Sequence, residues 1–187
     1  MNKKILVACN DPGGTMACLP VIKHLISGEN IFTSIYAGGS AQNILSSENI
    51  IFNTFPKNCI FKKDLWKIEN ILNKEKPDLV FSSTSFGKVI DNAILFSAIK
   101  KKIKTLALLD QWCNYSQRFQ VYSPNRNHED LPDFIGVMDS FAKTEMVKEG
   151  FPPERLIITG HPYFDSIIMQ KRSLSAKEKS NFKKDLV

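Results

Sequence analysis

Short, continuously apolar runs alternate along this chain with longer amphipathic stretches. Ile5-Leu6-Val7-Ala8 is the first run, the pattern of a strand buried on both faces of a parallel sheet. It stops at Asn10-Asp11-Pro12-Gly13-Gly14, which demands a tight turn, and Leu19, Val21, Ile22, Leu25 and Ile26 then recur at helical spacing. The opening therefore reads as strand, glycine turn and helix, with Thr15 or Asn10 expected to offer a side-chain oxygen to the first helical amides. Unpaired N–H groups at such a helix start suit an anion or a sugar hydroxyl, although a purely structural turn uses the same residues. The chain lacks both G-x-G-x-x-G and G-x-x-x-x-G-K-[ST], so the turn names no nucleotide.

The pattern then repeats. A second strand is expected over 31–37, closed by Gly38-Gly39, with Ser40 capping a helix over 41–46 and Ile50-Ile51-Phe52 as a third strand. Leu65, Ile68, Ile71 and Leu72 mark a helix over 64–74, capped by Asp64 and ended by Pro77. A fourth strand over 78–81 leads to Ser82-Ser83-Thr84-Ser85, whose hydroxyls can bond their own backbone or a ligand. A helix over 87–100 and a fifth strand over 103–109 end at Asp110-Gln111-Trp112. Residues 113–131 show neither period and read as a long loop, and Trp112 just before it with Tyr115, Arg118, Phe119 and Tyr122 within it either stack on a sugar or cover an acceptor, or else pack beneath the loop. A sixth strand over 133–138, a helix to Glu149 capped by Asp139 or Ser140, a seventh strand over 156–159, the turn Gly160-His161-Pro162 and a helix over 163–169 complete the series. Beyond these, Ser175-x-x-Glu178 reads as a capping box in a lysine-rich tail.

Seven strands alternating with helices predict an α/β fold, a doubly wound, mostly parallel Rossmann-like sheet over residues 1–170, with 171–187 as a basic tail or the start of a hinge. Ligands of such sheets bind outside the carboxyl ends of the strands, where the strand order reverses. The candidates at those ends are Asp11, Gly13 and Gly14; Ser83 and Thr84; Asp110 and Gln111; and His161, with Arg118 from the long loop. Asp110 is the candidate general base or hydroxyl-binding group, or else a loop carboxylate capping amides. His161 can bond a phosphate or a sugar, or tie hinge backbone together.

At 187 residues, 43% hydrophobic and 24% charged, the chain can bury a core of its own. No apolar run reaches membrane-span length, and Met1-Asn2-Lys3-Lys4 leads straight into a strand, which points to a cytoplasmic protein without an export signal. Cys9, Cys18, Cys59 and Cys113 form no C-x-x-C pair, so reduced thiols are expected, and neither a metal site nor a cofactor is implied. Lys plus Arg exceed Asp plus Glu by 25 to 19, concentrated in Lys100-Lys101-Lys102 with Lys104 and in the tail from Lys171 to Lys184. Such clusters solvate helix ends; they also suit an anionic membrane surface, and nothing in them suggests nucleic acid.

Several segments together resemble a known family: K-I-L-V-A-x-N-D-P-G-G with L-P-V-I-K-H-L, then P-D-L-V-F-S-S-T, and above all M-D-S-F-A-K-T-E-M-V-K-E-G-F-P-P-E-R-L-I-I-T-G-H-P-Y-F-D. They are similar to the amino-terminal half of two-domain GT-B proteins, which include glycosyltransferases and the UDP-N-acetylglucosamine 2-epimerases. The resemblance implies a single half of the GT-B fold that binds a small-molecule or lipid-linked sugar acceptor. The nucleotide sugar would sit on a second domain beginning about where this sequence stops, so the isolated chain is expected to be inactive as a transferase. It implies a role in cell-surface polysaccharide or glycolipid synthesis at the inner face of the membrane. An epimerase-like fragment and a non-catalytic sugar-phosphate or nucleotide-binding module remain alternatives. The epimerase branch places acidic residues after the fourth and fifth strands, where this chain has Ser82-Ser83-Thr84 and Asp110, so one of the two carboxylates is present.

Overall fold

A computed structural model describes residues 3–55, 60–122 and 128–173. Seven parallel strands, β1 (Lys3–Cys9), β2 (Ile31–Ala37), β3 (Asn53–Thr54), β4 (Leu79–Ser82), β5 (Lys104–Leu108), β6 (Phe134–Val137) and β7 (Leu156–Ile158), form one sheet in the order β3-β2-β1-β4-β5-β6-β7. The order runs outward in one direction from β1 and in the other from β4, so the reversal point lies between these two strands. β1 is central because both of its faces are apolar. Leu6 and Ala8 enter the layer completed by Ile68, Leu72, Ile90 and Ile94, while Val7 and Cys9 enter the layer of Cys18, Ile22, Ile35 and Leu45. Each fully buried aliphatic side chain contributes about 1.5–3 kcal/mol, which is why a four-residue run fixes the middle of the sheet.

The helices are α1 (Pro12–Ser27), α2 (Ala41–Ser47), α3 (Leu65–Glu75), α4 (Ile90–Lys100), α5 (Tyr115–Phe119), α6 (Ser140–Lys148) and α7 (Pro162–Ser173). A third apolar cluster joins Ile135 and Val137 of β6 to Ala142 and Met146 of α6. Asp139 caps α6, its side chain accepting from the Ala142 N–H at 2.8 Å. α7 packs on α1.

Several local expectations are corrected. Neither Thr15 nor Asn10 caps α1: the Thr15 hydroxyl donates to the Asp11 carbonyl, and the Asn10 amide donates to Asp11 Oδ1. Ser40 already has helical angles (φ −69°, ψ −18°), so its hydroxyl cannot fold back, and the Ala41 N–H is taken by the carbonyls of Asn10 and Gly38. The third strand is displaced from Ile50-Ile51-Phe52 to Asn53–Thr54, because the Ile50 N–H closes α2 on the Leu45 carbonyl and the chain meets β2 only from Asn53, which pairs with Tyr36 while Thr54 pairs with Ala37. Asp64 ends a 3₁₀ turn (Lys62–Asp64) and accepts backward from the Phe61 N–H rather than capping α3. α4 begins at Ile90, three residues late, and the long loop contains α5 and a second 3₁₀ turn, His128–Asp130. The capping box at Ser175 and the tail beyond Ser173 lie outside the described residues.

Candidate functional site

At the carboxyl ends of β1, β4, β5 and β7 the polar turns meet one another. The turn after β1 is tied to the loop after β4: the Asp11 N–H donates to Ser85 Oγ at 3.1 Å, and the Phe86 N–H donates to Asp11 Oδ2 at 3.3 Å. α1 enters so closely that glycine is required twice. A Cβ on Gly14 would stand 2.8 Å from Ser83 Cβ, and one on Gly13 would stand 2.4 Å from Asp110 Oδ2. The Asp110 carboxylate is therefore wedged against the first turn of α1, where the helix presents the positive end of its dipole.

Its other oxygen is held from beneath the rim. Arg118 of α5, only 3% exposed, donates through Nη1 to Asp110 Oδ1 at 2.9 Å and to the Thr84 carbonyl, and through Nη2 to Gln111 Oε1 at 3.0 Å. The Phe86 ring packs on its guanidinium, 4.8 Å from the ring centroid. The planar fork of arginine suits this role because one cation fixes the ends of β4 and β5 together. Burial pushes the Asp110 pKa above the ordinary carboxylate range, and Arg118 opposes the rise. The arrangement yields a carboxylate of fixed direction that can accept a hydrogen bond, or a proton, from a hydroxyl at the rim.

His161, after β7, points Nε2 at the Asp110 carbonyl at 3.3 Å; a carbonyl only accepts, so Nε2 carries the proton. Its Nδ1 is buried with no partner among the described residues. The imidazole stacks on Phe164 of α7 at 4.1 Å between centroids, and Trp112 lies parallel to both at 6.2–6.4 Å, with its indole N–H fixed on Asp139 Oδ2 at 2.7 Å. Trp112 and Phe164 are 40% and 45% exposed, so an aromatic shelf of the kind that accepts the apolar face of a sugar borders the carboxylate.

Asp11, Gly13, Gly14, Ser83, Thr84, Asp110, Gln111, Arg118 and His161 thus form one contiguous cluster, with Ser83, Thr84 and Arg118 lying under the surface rather than at it. Sequence reasoning missed Asp91. Fully buried in the first turn of α4, it accepts from Ser83 Oγ at 2.7 Å, Ser85 Oγ at 2.6 Å and the Ser85 N–H at 3.1 Å, and it braces the serine loop. Burial raises its pKa to about 6 against the lowering effect of those bonds. A lone carboxylate opening an otherwise apolar helix just after four hydroxyl residues was the available signal. Phe164 and Phe86 carried none.

The basic cluster after α4 is largely engaged within the fold: Lys100 pairs with Asp130, Lys104 with Asp133 at 3.1 Å, and Lys101 with Asn73 at 3.0 Å. Cys9 and Cys18 are buried free thiols and Cys113 is exposed. Among the described residues there is no cluster of three metal-ligating side chains, and no helix long and apolar enough to cross a membrane.

No family model and no curated protein matches this chain. Solved structures do. The UDP-GlcNAc 2-epimerase of Neisseria meningitidis, bound to UDP-GlcNAc, superposes with a TM-score of 0.66 at 16% identity over 97% of this chain and 53% of its own. The UDP-GlcNAc 2-epimerase of Methanocaldococcus jannaschii gives 0.66 at 18% identity, over 88% and 47%. Acinetobacter baumannii MurG gives 0.59 at 16% identity, over 85% and 45%. The chain spans about half the length of each of these three structures. At these identities the likeness is one of fold, and the fold is that of the amino-terminal domain of GT-B proteins.

Proposed function

We propose that this chain, over residues 1–170, is the acceptor-side half of a GT-B glycosyltransferase, with the donor nucleotide sugar held by a second domain toward which residues 171–187 lead. The observation that carries the reading is the convergence, at the reversal point of the sheet, of a wedged carboxylate, exposed turn groups and an aromatic shelf. Asp110 orients or deprotonates the attacking hydroxyl of the acceptor. Asp11 directs a further hydroxyl, and Trp112 with Phe164 stacks against a ring. The acceptor is a glycan of cell-surface polysaccharide or glycolipid synthesis, met on the cytoplasmic side.

A second reading, an epimerase-like site, draws support from the nearness of a carboxyl residue and an imidazole at one rim, His161 Nε2 lying 3.3 Å from the Asp110 main-chain carbonyl. Calorimetric titration of the 187-residue chain with UDP-GlcNAc separates the two readings. The acceptor-side reading expects weak heat or none, because the diphosphate contacts belong to the other domain. A micromolar dissociation constant would contradict that division and favour the epimerase reading.

A further inference from the structure

We propose that Asp91, buried behind the rim, is a positioning residue that fixes the Asp11 carboxylate through the Ser85 hydroxyl, and that a proton taken up by Asp91 releases this hold. The bonds run in series. The Asp11 N–H donates to Ser85 Oγ at 3.1 Å, and Ser85 Oγ donates in turn to Asp91 Oδ2 at 2.6 Å. The same carboxylate oxygen accepts from Ser83 Oγ at 2.7 Å and from the Ser85 N–H at 3.1 Å, while Oδ1 accepts from the Asn92 N–H at 2.8 Å. Asp91 is fully buried, and among the described residues it forms no ion pair, so its charge rests on these donors. A hydroxyl that donates to a carboxylate becomes a better acceptor, and ionised Asp91 thereby strengthens the bond on the Asp11 N–H.

Asp11 is the half-buried end of this series, where it reaches the rim. Its Oδ1 accepts from the Asn10 side-chain amide at 2.7 Å and its Oδ2 from the Phe86 N–H at 3.3 Å, so its direction depends on Asn10, on Phe86 and on the Ser85 bond to its own N–H. Ser85 and Phe86 both belong to the loop that Asp91 braces. The main chain of that loop has a separate anchor. The Asn92 side-chain amide donates to the Ser85 carbonyl at 2.6 Å and to the Gly87 carbonyl at 2.9 Å, and an amide does not titrate. Loss of the Asp91 charge therefore changes hydroxyl directions and the Asp11 turn while the loop stays in place.

The fold also holds a place for the proton. A proton moved from solvent to Asp91 Oδ2 must be donated to a neighbouring oxygen, and Ser83 Oγ can accept it by turning its own hydroxyl toward the Ala8 carbonyl at 3.4 Å. Ser85 then faces a neutral carboxyl, and the Asp11 N–H faces a poorer acceptor. The other ionisable groups near this network come from several elements. Asp11 acts on Asp91 from the turn after β1, Cys18 lies beyond it on α1, and Asp110 ends β5. Arg118 reaches the Thr84 carbonyl between the two serines but is shared with Asp110 and Gln111, and Lys88 Nζ lies over the Phe61 ring at 5.3 Å. Burial first, with a smaller contribution from the Asp11 charge, raises the Asp91 pKa to about 6 against the serine and Asn92 bonds. This inference rests on the reading of Asp11 as a ligand-facing group, and adds that a hydroxyl bound there is held less firmly once Asp91 is protonated.

The test is a pH titration of the 187-residue chain by NMR, following the Asp91 carboxyl carbon and the backbone amides without any ligand. The Asp91 carbon should titrate near pH 6, and the Asp11 amide should show a step at the same midpoint. Asp91→Asn should abolish that step. Ser85→Ala removes a donor to the charged form, so the Asp91 midpoint should move up while the Asp11 amide loses most of its step. Asp11→Asn removes a like charge, so the Asp91 midpoint should move down. Wild type and Ser85→Ala decide the matter should Asp91→Asn fail to fold. An Asp11 amide that stays flat through the Asp91 midpoint, or a step that keeps its full size in Ser85→Ala, overturns the proposal. That failure leaves the acceptor-side reading standing. A step that behaves as described while no glycan acceptor protects the rim leaves the coupling standing and removes the reading.

Discussion

Replacing Arg118 with methionine should destabilise the fold by about 3–5 kcal/mol at pH 8, the size expected when one partner of a buried ion pair is removed. The Asp110 carboxylate, 5% exposed, would be left facing α1 with no cation, and the Thr84 carbonyl and Gln111 would lose their shared donor. For a domain of this length that is a fall in Tm of roughly 10 °C. The sign with pH follows from the same geometry. Without Arg118 the Asp110 pKa rises further, the carboxyl escapes its penalty by taking a proton, and the deficit shrinks as pH falls. Urea unfolding of wild type and Arg118→Met at pH 8 and pH 5 tests this. A deficit below about 1 kcal/mol, equal at both pH values, would mean that the pair is not the strut described here.

Asp91 supplies the second large effect, with an unusual sign. Its pKa stands at about 6 in the fold against an ordinary 3.8, so the native state holds this proton more tightly than the unfolded chain. The stabilisation that follows is fully present below about pH 4 and is lost as pH rises through about 6. At about 1.4 kcal/mol per pH unit the change is on the order of 3 kcal/mol. Asp91→Asn removes that titration. Whatever the amide costs in lost acceptors, the stability of the variant relative to wild type should improve from pH 4 to pH 8 by that order. Unfolding curves that shift in parallel for the two proteins across this range would refute the assignment.

Both effects arise from residues whose importance is only partly written in the sequence. The alternation of apolar runs and amphipathic stretches placed β1, β2 and β4 to β7 within a residue or two, because buried parallel strands are continuously apolar and need no partner to be recognised. β3 was misplaced because a two-residue edge strand of Asn53 and Thr54 has no apolar signature; its pairing is a property of β2. α5 escaped notice because five residues are too few for a period, and its buried face includes a charged side chain, Arg118. It also begins from Asn114 in the left-handed region (φ 58°), which no local pattern announces.

The site shows the same division. Strand ends followed by polar turns are visible in the sequence, and the rule that ligands bind beyond those ends gathers Asp11, Thr84, Asp110 and His161 into one set. What joins them was not visible. Gly13 and Gly14 are needed for close approach to Asp110 and Ser83 rather than for turn conformation, and that requirement exists only after β5 and β4 lie beside β1. The bracing of the serine loop by Asp91, and the stacking of His161 on Phe164, likewise depend on partners that the fold supplies.

The claim that most of this account depends on is that the rim beyond β1, β4, β5 and β7 is one wall of a sugar-binding cleft. Amide hydrogen exchange of the chain, followed with and without a panel of candidate glycan acceptors, addresses it directly. Slowed exchange confined to the turns carrying Asp11, Gly13, Thr84, Asp110 and His161, and abolished by Asp110→Asn together with Trp112→Ala, is the predicted result. Protection that falls elsewhere on the molecule, or that persists unchanged in that double variant, would contradict it.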